Sequence, residues 1–156
     1  NHVKACVLTI STSVAARERA DEDGPLVAEL LDKAGHDVAA MEVIPDDYSL
    51  IEDRIHHYAD EDYALIITTG GTGPAFDDVT PEATSAAIDR PAPGIAEAIR
   101  AARGPGTAEA MLCRGVAGFC RRTLVVNLPG HPDSIRQSMA VLEPVLGQAL
   151  QTLRGE

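Results

Sequence analysis

Three short apolar runs constrain the fold of this chain more than any other feature. They cover residues 3–10, 63–69 and 123–128 and are rich in aliphatic residues. Runs of this length without polar alternation are typical of strands that are buried on both faces of a parallel sheet. Segments with apolar residues at helical spacing separate them, so strands and helices alternate. This order predicts an α/β fold, a three-layer α/β/α sandwich with a mostly parallel central sheet.

Local signals place the remaining elements. Ser49, followed by Glu52, forms a capping box that should start one helix. Thr80 is expected to cap another helix, with Pro81 at its first position. Pro144 should kink or divide the last helix. Three helices are predicted to begin near residues 24, 49 and 80, and two more are predicted over residues 94–103 and 132–153. Two further strands are predicted over residues 37–44 and 111–119.

The composition predicts one aliphatic domain. The chain has 156 residues without an internal repeat or linker, so residues 1–156 are expected to form a single domain. Aromatic residues make up only 3%, so the core should be aliphatic. No apolar run approaches the length of a membrane span, and the first residues show no signal-peptide pattern. Because the three cysteines lack metal-ligand spacing, we expect a reducing, cytoplasmic location.

The formal net charge of −11 limits the partners of the chain. It argues against nucleic acid, whose phosphates require a cationic surface. A salt-loving source would explain such an acidic surface, but an ordinary acidic protein would explain it equally well, and both interpretations stay open. An anionic substrate would need a metal ion or backbone N–H donors to offset the negative charge.

Four loops with unusual residues follow predicted strands, and the glycine-rich one has the features of a phosphate site. The loops cover residues 11–13, 45–47, 69–73 and 127–130, where ligands bind in open α/β sheets. Gly70, Gly71 and Gly73 free the backbone to turn sharply and to present N–H groups. The loop is not a P-loop, because no Lys-Ser or Lys-Thr pair follows, nor a dinucleotide fingerprint, because Phe76 replaces the third glycine. A tight turn without a ligand stays the alternative.

Two carboxylates lie close to this predicted phosphate site in the sequence. Asp78 follows the glycine-rich loop, and Asp46 follows a neighbouring strand. A carboxylate repels a phosphate unless a cation separates them, and Mg²⁺ commonly binds one or two carboxylates together with phosphate oxygens. The alternative is helix capping or a solvated loop charge, which composition alone favours for Asp47 and Asp77.

The longest motif resembles a known family. Residues 68–74 (TTGGTGP) with 78–83 (DVTPEA) are similar to the signature of the MogA/MoaB molybdopterin adenylyltransferases, a domain type that also occurs in gephyrin. Residues 44–46, 114–118 and 127–130 match further family motifs in chain order, so the resemblance spans almost the whole chain. Asp21 and Gly24 also fit a family pattern before the first helix.

The resemblance implies an activity and its residues. It implies Mg²⁺-dependent transfer of AMP from ATP to molybdopterin, with release of pyrophosphate, in molybdenum cofactor biosynthesis. Asp46 and Asp78 would be the catalytic carboxylates and hold the metal. The residues that bind substrate and nucleotide would be Ser11, Gly70, Gly71, Thr72, Gly73, Thr80, Pro129 and Gly130. A homotrimer and hand-over of the product to a molybdenum-insertion protein are also implied.

The chain departs from the family pattern in two places. Cys113 stands where a serine is common, and we expect it to be buried rather than to act as a weak donor. Residues 13–17 (SVAAR) replace an arginine-containing loop, which leaves Arg17 and Arg19 as candidates for the cation that meets the substrate. His131 is expected at the rim of the site.

A second hypothesis is a catalytically silent scaffold or carrier that binds molybdopterin. Inactive relatives tend to lose part of the motif at residues 78–81, which is intact here, so the enzyme is favoured. An unrelated nucleotide-binding regulatory domain is a third, remote interpretation.

Overall fold

A six-stranded sheet forms the centre of the computed structural model, which describes residues 4–104 and 106–155. The order across the sheet is β2-β1-β3-β6-β5-β4. The first four of these strands are parallel, whereas β5 is antiparallel to β6 and β4 is antiparallel to β5. The strands are β1 (Lys4–Ile10), β2 (Asp37–Ile44), β3 (Leu65–Thr69), β4 (Arg90–Pro91), β5 (Ala117–Cys120) and β6 (Thr123–Leu128).

Helices cover both faces of this sheet. They are α1 (Thr12–Ala15), α2 (Asp23–Lys33), α3 (Tyr48–Asp60), α4 (Thr80–Ala87), α5 (Pro93–Ala102), α6 (Ala108–Leu112) and α7 (Pro132–Arg154). One core lies between the sheet and helices α2, α5 and α7 and includes Leu31, Ile99 and Leu142. A second core on the opposite face includes Ile55 of α3 and Ala83 of α4. The predicted three-layer α/β/α sandwich is therefore confirmed.

The central strands serve both cores because successive side chains of a strand point to opposite faces. In β1, Val7 belongs to the first core and Leu8 to the second, and both are fully buried. Burying one such aliphatic side chain stabilises the fold by about 1.5–3 kcal/mol. The continuous apolar runs of the sequence reflect this two-sided burial.

Two helices start at other residues than the sequence suggested. Asp47, not Ser49, is the N-cap of α3, because its carboxylate accepts a hydrogen bond from the Leu50 N–H at 3.0 Å. The alternative role of capping for Asp47 is therefore confirmed. Val79 is the N-cap of α4, and Thr80 is its first residue, with its N–H 3.2 Å from the Gly71 carbonyl. The loop carbonyl fixes the start of α4, so the threonine side chain is not needed as a cap.

The segment before β6 also differs from the prediction of a strand over residues 111–119. Helix α6 occupies its beginning, capped by the Thr107 hydroxyl, and β5 starts only at Ala117. Alanine and methionine in residues 108–112 favour a helical turn once a capping threonine precedes them. The short edge strand β4 includes Pro91, which the sequence indicated only as a helix breaker.

The last helix runs without interruption through Pro144, so the expected division is wrong. Tertiary packing of its apolar stripe outweighs the loss of one backbone hydrogen bond at the proline. Val3 and Pro105, which the sequence placed in the first strand and in a helix-ending loop, lie outside the described residues. Within residues 4–104 and 106–155, no helix is long and apolar enough to span a membrane.

Candidate active site

A cleft of about 750 Å³ opens at the carboxyl ends of the four parallel strands. This volume is in the range of sites that bind small molecules. All four loops predicted from the sequence contribute to it. The predicted site residues that line the cleft are Ser11, Asp46, Gly70, Gly71, Thr72, Gly73, Asp78, Pro129 and Gly130. Thr80 instead lies behind the glycine-rich loop and is fully buried.

The glycine-rich loop adopts a backbone that other residues would strain. Gly70 and Gly71 have φ angles of +96° and +69°, in the left-handed region that favours glycine. A Cβ on Gly70 would lie 2.3 Å from the backbone oxygen of Ile10. A Cβ on Gly71 would lie 2.3 Å from Oγ1 of Thr80. The bare backbone therefore packs against β1 and α4 and leaves the cleft side of the loop open.

Arg114 holds this loop against the start of α4. Its Nε donates to the carbonyl of Gly73 at 2.9 Å, and a terminal nitrogen donates to the carbonyl of Asp78 at 2.7 Å. The other terminal nitrogen pairs with the Glu82 carboxylate at 2.5 Å. The planar guanidinium can make these three contacts at once, which lysine could not. The family resemblance placed Arg114 within a motif without indicating this role.

Within the glycine-rich loop, the buried side chain of Thr72 contacts Cys113. Thr72 is 5% exposed, and the Sγ of Cys113 lies 3.9 Å from its hydroxyl oxygen. The backbone N–H of Arg114 donates to the Thr72 carbonyl at 2.9 Å. Cys113 is buried, as expected, and it also keeps the weak contact that the alternative interpretation allowed.

Asp46 is fixed by the first turn of α1. Its Oδ2 accepts hydrogen bonds from the backbone N–H of Thr12 at 3.1 Å and from the Thr12 hydroxyl at 3.0 Å. The Oδ1 atom is buried and has no hydrogen-bond partner within the described residues. The sequence placed Thr12 in a loop of the predicted site without indicating this contact, because Thr12 and Asp46 are 34 residues apart.

Asp78 faces the cleft from the other side of the glycine-rich loop. Its Oδ2 accepts a hydrogen bond from the Ala75 N–H at 3.1 Å. No ion pair involves the side chain of Asp46 or Asp78 in the part of the chain that the structure describes, since Arg114 contacts only the backbone of Asp78. Neither carboxylate is therefore neutralised by a cationic side chain of the described residues.

The donor set fits a magnesium ion that is completed by its substrate. Residues 4–104 and 106–155 contain no group of three or more side chains that could hold a metal ion alone. Mg²⁺ typically takes one or two protein carboxylates and fills its other positions with phosphate oxygens and water. Asp46 and Asp78, on two loops of one cleft, match that requirement.

The charge of the cleft is strongly negative. The acidic residues that line it are Asp21, Glu22, Asp23, Asp46, Asp78 and Glu109. The guanidinium groups that line it belong to Arg19 and Arg103, whereas Arg17 lies elsewhere. Burial raises the pKa of Asp23, and the neighbouring Asp21 raises it further. Anionic ligands therefore need a cation or the helix ends to offset this charge.

The positive end of α7 provides such an offset. His131 is its N-cap, and Nδ1 of the imidazole accepts a hydrogen bond from the Asp133 N–H at 3.3 Å. Both His131 and Pro132, at the first position of the helix, line the cleft. The free N–H groups of the first turn give the N-terminus of this helix the partial positive charge of the macrodipole. His131, which the sequence predicted at the rim of the site, is exposed.

Comparison with known proteins identifies the family to which this fold and its loops belong. A family model described as a probable molybdopterin binding domain matches residues 6–148. The chain is 35% identical over 153 residues to the molybdenum cofactor biosynthesis bifunctional protein of Synechococcus elongatus, covering 98% of this chain and 48% of that protein. It is 33% identical over 153 residues to the molybdopterin adenylyltransferase of Escherichia coli K12, covering 96% of this chain and 78% of that protein.

Solved structures agree on the fold. The molybdopterin biosynthesis enzyme MoaB of Thermus thermophilus matches with a TM-score of 0.93 and 41% identity, over 99% of this chain and 98% of that chain. The chain spans about half the length of the bifunctional relative, 48%. The family model nevertheless covers most of the chain, and its matched residues include all four loops of the cleft. The chain therefore belongs to the molybdopterin-binding domain family.

Proposed function

We propose that this chain transfers AMP from ATP to molybdopterin and releases pyrophosphate. The observation that carries the proposal is the pair of carboxylates, Asp46 and Asp78, that line one cleft beside a glycine-rich loop and form no ion pair within the described residues. The adenylyltransferase name of the Escherichia coli relative supports the same activity.

The reaction joins two anions and needs little covalent help from the protein. An oxygen of the terminal phosphate of molybdopterin forms a bond to the α-phosphorus of ATP. The bond from that phosphorus to the bridging oxygen breaks, and its electron pair leaves with pyrophosphate. The attacking phosphate is already ionised at neutral pH, so no strong general base is required. Catalysis is then mainly positioning and neutralisation of charge.

Side chains and backbone divide these tasks. Asp46 and Asp78 would hold Mg²⁺, which when bound neutralises the charge that develops on the leaving pyrophosphate. Backbone N–H groups of Gly71 and Gly73, on the loop that lines the cleft, would bind phosphate oxygens. The N-terminus of α7, next to Gly130, would bind a second anionic group.

Arg19 and Arg103 are the candidates for direct contact between a protein cation and the substrates. Both line the cleft. Arg103 also donates to the carbonyl of Glu109 at 3.3 Å, which ties α6 to the end of α5 beside the cleft. Arg17, the other candidate from the sequence, does not line the cleft in the described structure and takes no part in the proposal.

Pyrophosphate release in the presence of ATP, MgCl₂ and molybdopterin tests the activity. Asp78→Asn should reduce turnover at least about a hundredfold while molybdopterin binding changes little, because a contact made in the transition state is lost and the phosphate-binding loop remains. Asp77→Asn is the matched control, since its exposed carboxylate lies outside the cleft lining. Molybdopterin binding without pyrophosphate release would favour the silent scaffold, and equal loss of binding and turnover in Asp78→Asn would contradict its role.

Assembly as a homotrimer and hand-over of the product to a molybdenum-insertion protein are proposals that rest on the family resemblance. Light scattering coupled to size-exclusion chromatography measures the mass of the assembly directly. A mass of three chains is expected, and a single-chain mass would contradict the trimer.

A further inference from the structure

Two polar atoms beside the cleft are buried without a hydrogen-bond partner in the described residues, and both face Gly71. They are Oγ1 of Thr80 and Oδ1 of Asp46. A Cβ on Gly71 would lie 2.3 Å from the first oxygen and 3.0 Å from the second. The two oxygens are therefore no farther apart than the sum of these distances. A hydrogen bond between them requires the two oxygens to lie about 3 Å apart.

Burial keeps both atoms from forming hydrogen bonds with solvent. Thr80 is 0% exposed, so its hydroxyl has no access to solvent. The Oδ1 atom of Asp46 is also buried, although the residue itself lines the cleft. A buried donor and a buried acceptor that both lack a partner are unfavourable, and a single hydrogen bond between them removes both penalties.

We propose that the Thr80 hydroxyl donates a hydrogen bond to Oδ1 of Asp46 and so acts as a positioning residue for this carboxylate. Thr12 already donates to Oδ2 from its backbone N–H and its hydroxyl. With Thr80 on the other oxygen, the plane of the Asp46 carboxylate is fixed from both sides. The inference deepens the proposed function and rests on it, because it matters for catalysis only if Asp46 holds the metal ion.

The position of Thr80 links this carboxylate to the phosphate-binding loop. The Thr80 N–H is 3.2 Å from the Gly71 carbonyl, so one residue contacts both the loop and, as proposed, the acidic side chain. Partners that orient a metal-binding carboxylate typically change metal affinity or activity about 10–100-fold when they are lost. Thr80 therefore sets the geometry between the metal and the bound phosphates without touching either.

Activity measurements separate this role from simple packing. Thr80→Val keeps the buried shape but removes the hydroxyl, and we expect turnover to fall about 10–100-fold and half-maximal activation to need more Mg²⁺. Thr80→Ser restores the donor and should recover most of both. Thr84→Val is the matched control, because Thr84 is equally buried one turn along α4 and its hydroxyl accepts from Asn127 at 3.0 Å. Thr84→Val should leave the Mg²⁺ requirement unchanged; an unchanged requirement in Thr80→Val overturns the proposal.

A stability measurement tests the contact even if the chain has no adenylyltransferase activity. The urea midpoint is compared for Thr80→Val in the wild-type and in the Asp46→Ala background. A smaller shift in the Asp46→Ala background supports the hydrogen bond, because the mutations then remove the same interaction. Equal shifts in both backgrounds, as expected for Thr84→Val, would show that Thr80 acts through packing alone. Absence of pyrophosphate release in the wild type would refute the proposed function and leave this comparison intact.

Discussion

Replacing Gly71 by alanine tests whether the bare backbone of the glycine-rich loop is a requirement of the fold as well as of binding. The residue has a φ angle of +69°, and a left-handed conformation costs a residue with a Cβ about 1–2 kcal/mol. The added methyl group would lie 2.3 Å from Oγ1 of the fully buried Thr80. Displacing a packed interior group costs about 1–3 kcal/mol.

The two effects act together in Gly71→Ala, so we expect the free energy of unfolding to fall by about 2–5 kcal/mol. This is a large part of the roughly 5–15 kcal/mol that stabilises an ordinary domain. In a urea titration followed by circular dichroism, the midpoint should fall by about 1–2.5 M, since the slope for a domain of this size is about 2 kcal/mol per molar.

For Gly147→Ala, the same substitution at another position, we expect the free energy of unfolding to rise instead of fall. Gly147 lies in α7, is exposed, and a Cβ there would meet no atom within 4 Å. Alanine is favoured over glycine in a helix by about 1 kcal/mol, so the midpoint should rise. If the free energy of unfolding of Gly71→Ala is within about 0.5 kcal/mol of the wild-type value, the loop does not need glycine at this position and the geometric argument is refuted.

Three further predictions concern the site and the core. Arg114→Gln should raise the KM for ATP by about tenfold, since one neutral amide cannot replace three contacts around the glycine-rich loop; an unchanged KM would show that the loop keeps its shape without the guanidinium. Burial raises the pKa of the Cys6 thiol from 9.0 to about 12, so the stability that this neutral group contributes is present below pH 9 and is lost as the pH rises towards 12. The urea midpoint of Cys6→Ala should therefore fall less between pH 9 and pH 11 than that of the wild type, and equal losses would contradict the assignment. Because the carboxylates that line the cleft outnumber its guanidinium groups, moderate NaCl should lower the KM for ATP at fixed MgCl₂, and a KM that rises steadily with salt would contradict net repulsion.

The parts of the fold that the sequence predicted well are those with a local pattern. The strand Thr123–Leu128 is continuous and apolar because it is buried on both faces, and its predicted bounds are those of the structure. The glycine-rich loop was recognisable because positive φ angles select for glycine. The strand predicted over residues 111–119 was wrong where the local pattern is ambiguous, since a few apolar residues do not distinguish a short helix from a strand.

The contacts that organise the site were not predictable from such patterns. Thr12 binds Asp46 across 34 residues, and Arg114 binds Gly73 across 41. These interactions depend on which loops the sheet order brings together, and no spacing in the sequence encodes that order directly. The orientation of Thr80 was also not predictable, because a motif identifies the residue as important without indicating whether it faces the ligand or the interior.

Four loops that are far apart along the chain line the cleft, and this has a consequence for how ligands can be found. A molecule that bridges the loop after β1 and the loop after β6 favours the folded chain over the unfolded one, which lacks any such surface. Binding therefore stabilises the folded chain by mass action, by about 2.7 kcal/mol when the free ligand concentration is a hundred times Kd. The melting temperature rises as a result. A thermal-shift screen of nucleotides and pterins, with and without magnesium, would thus report occupancy without requiring turnover.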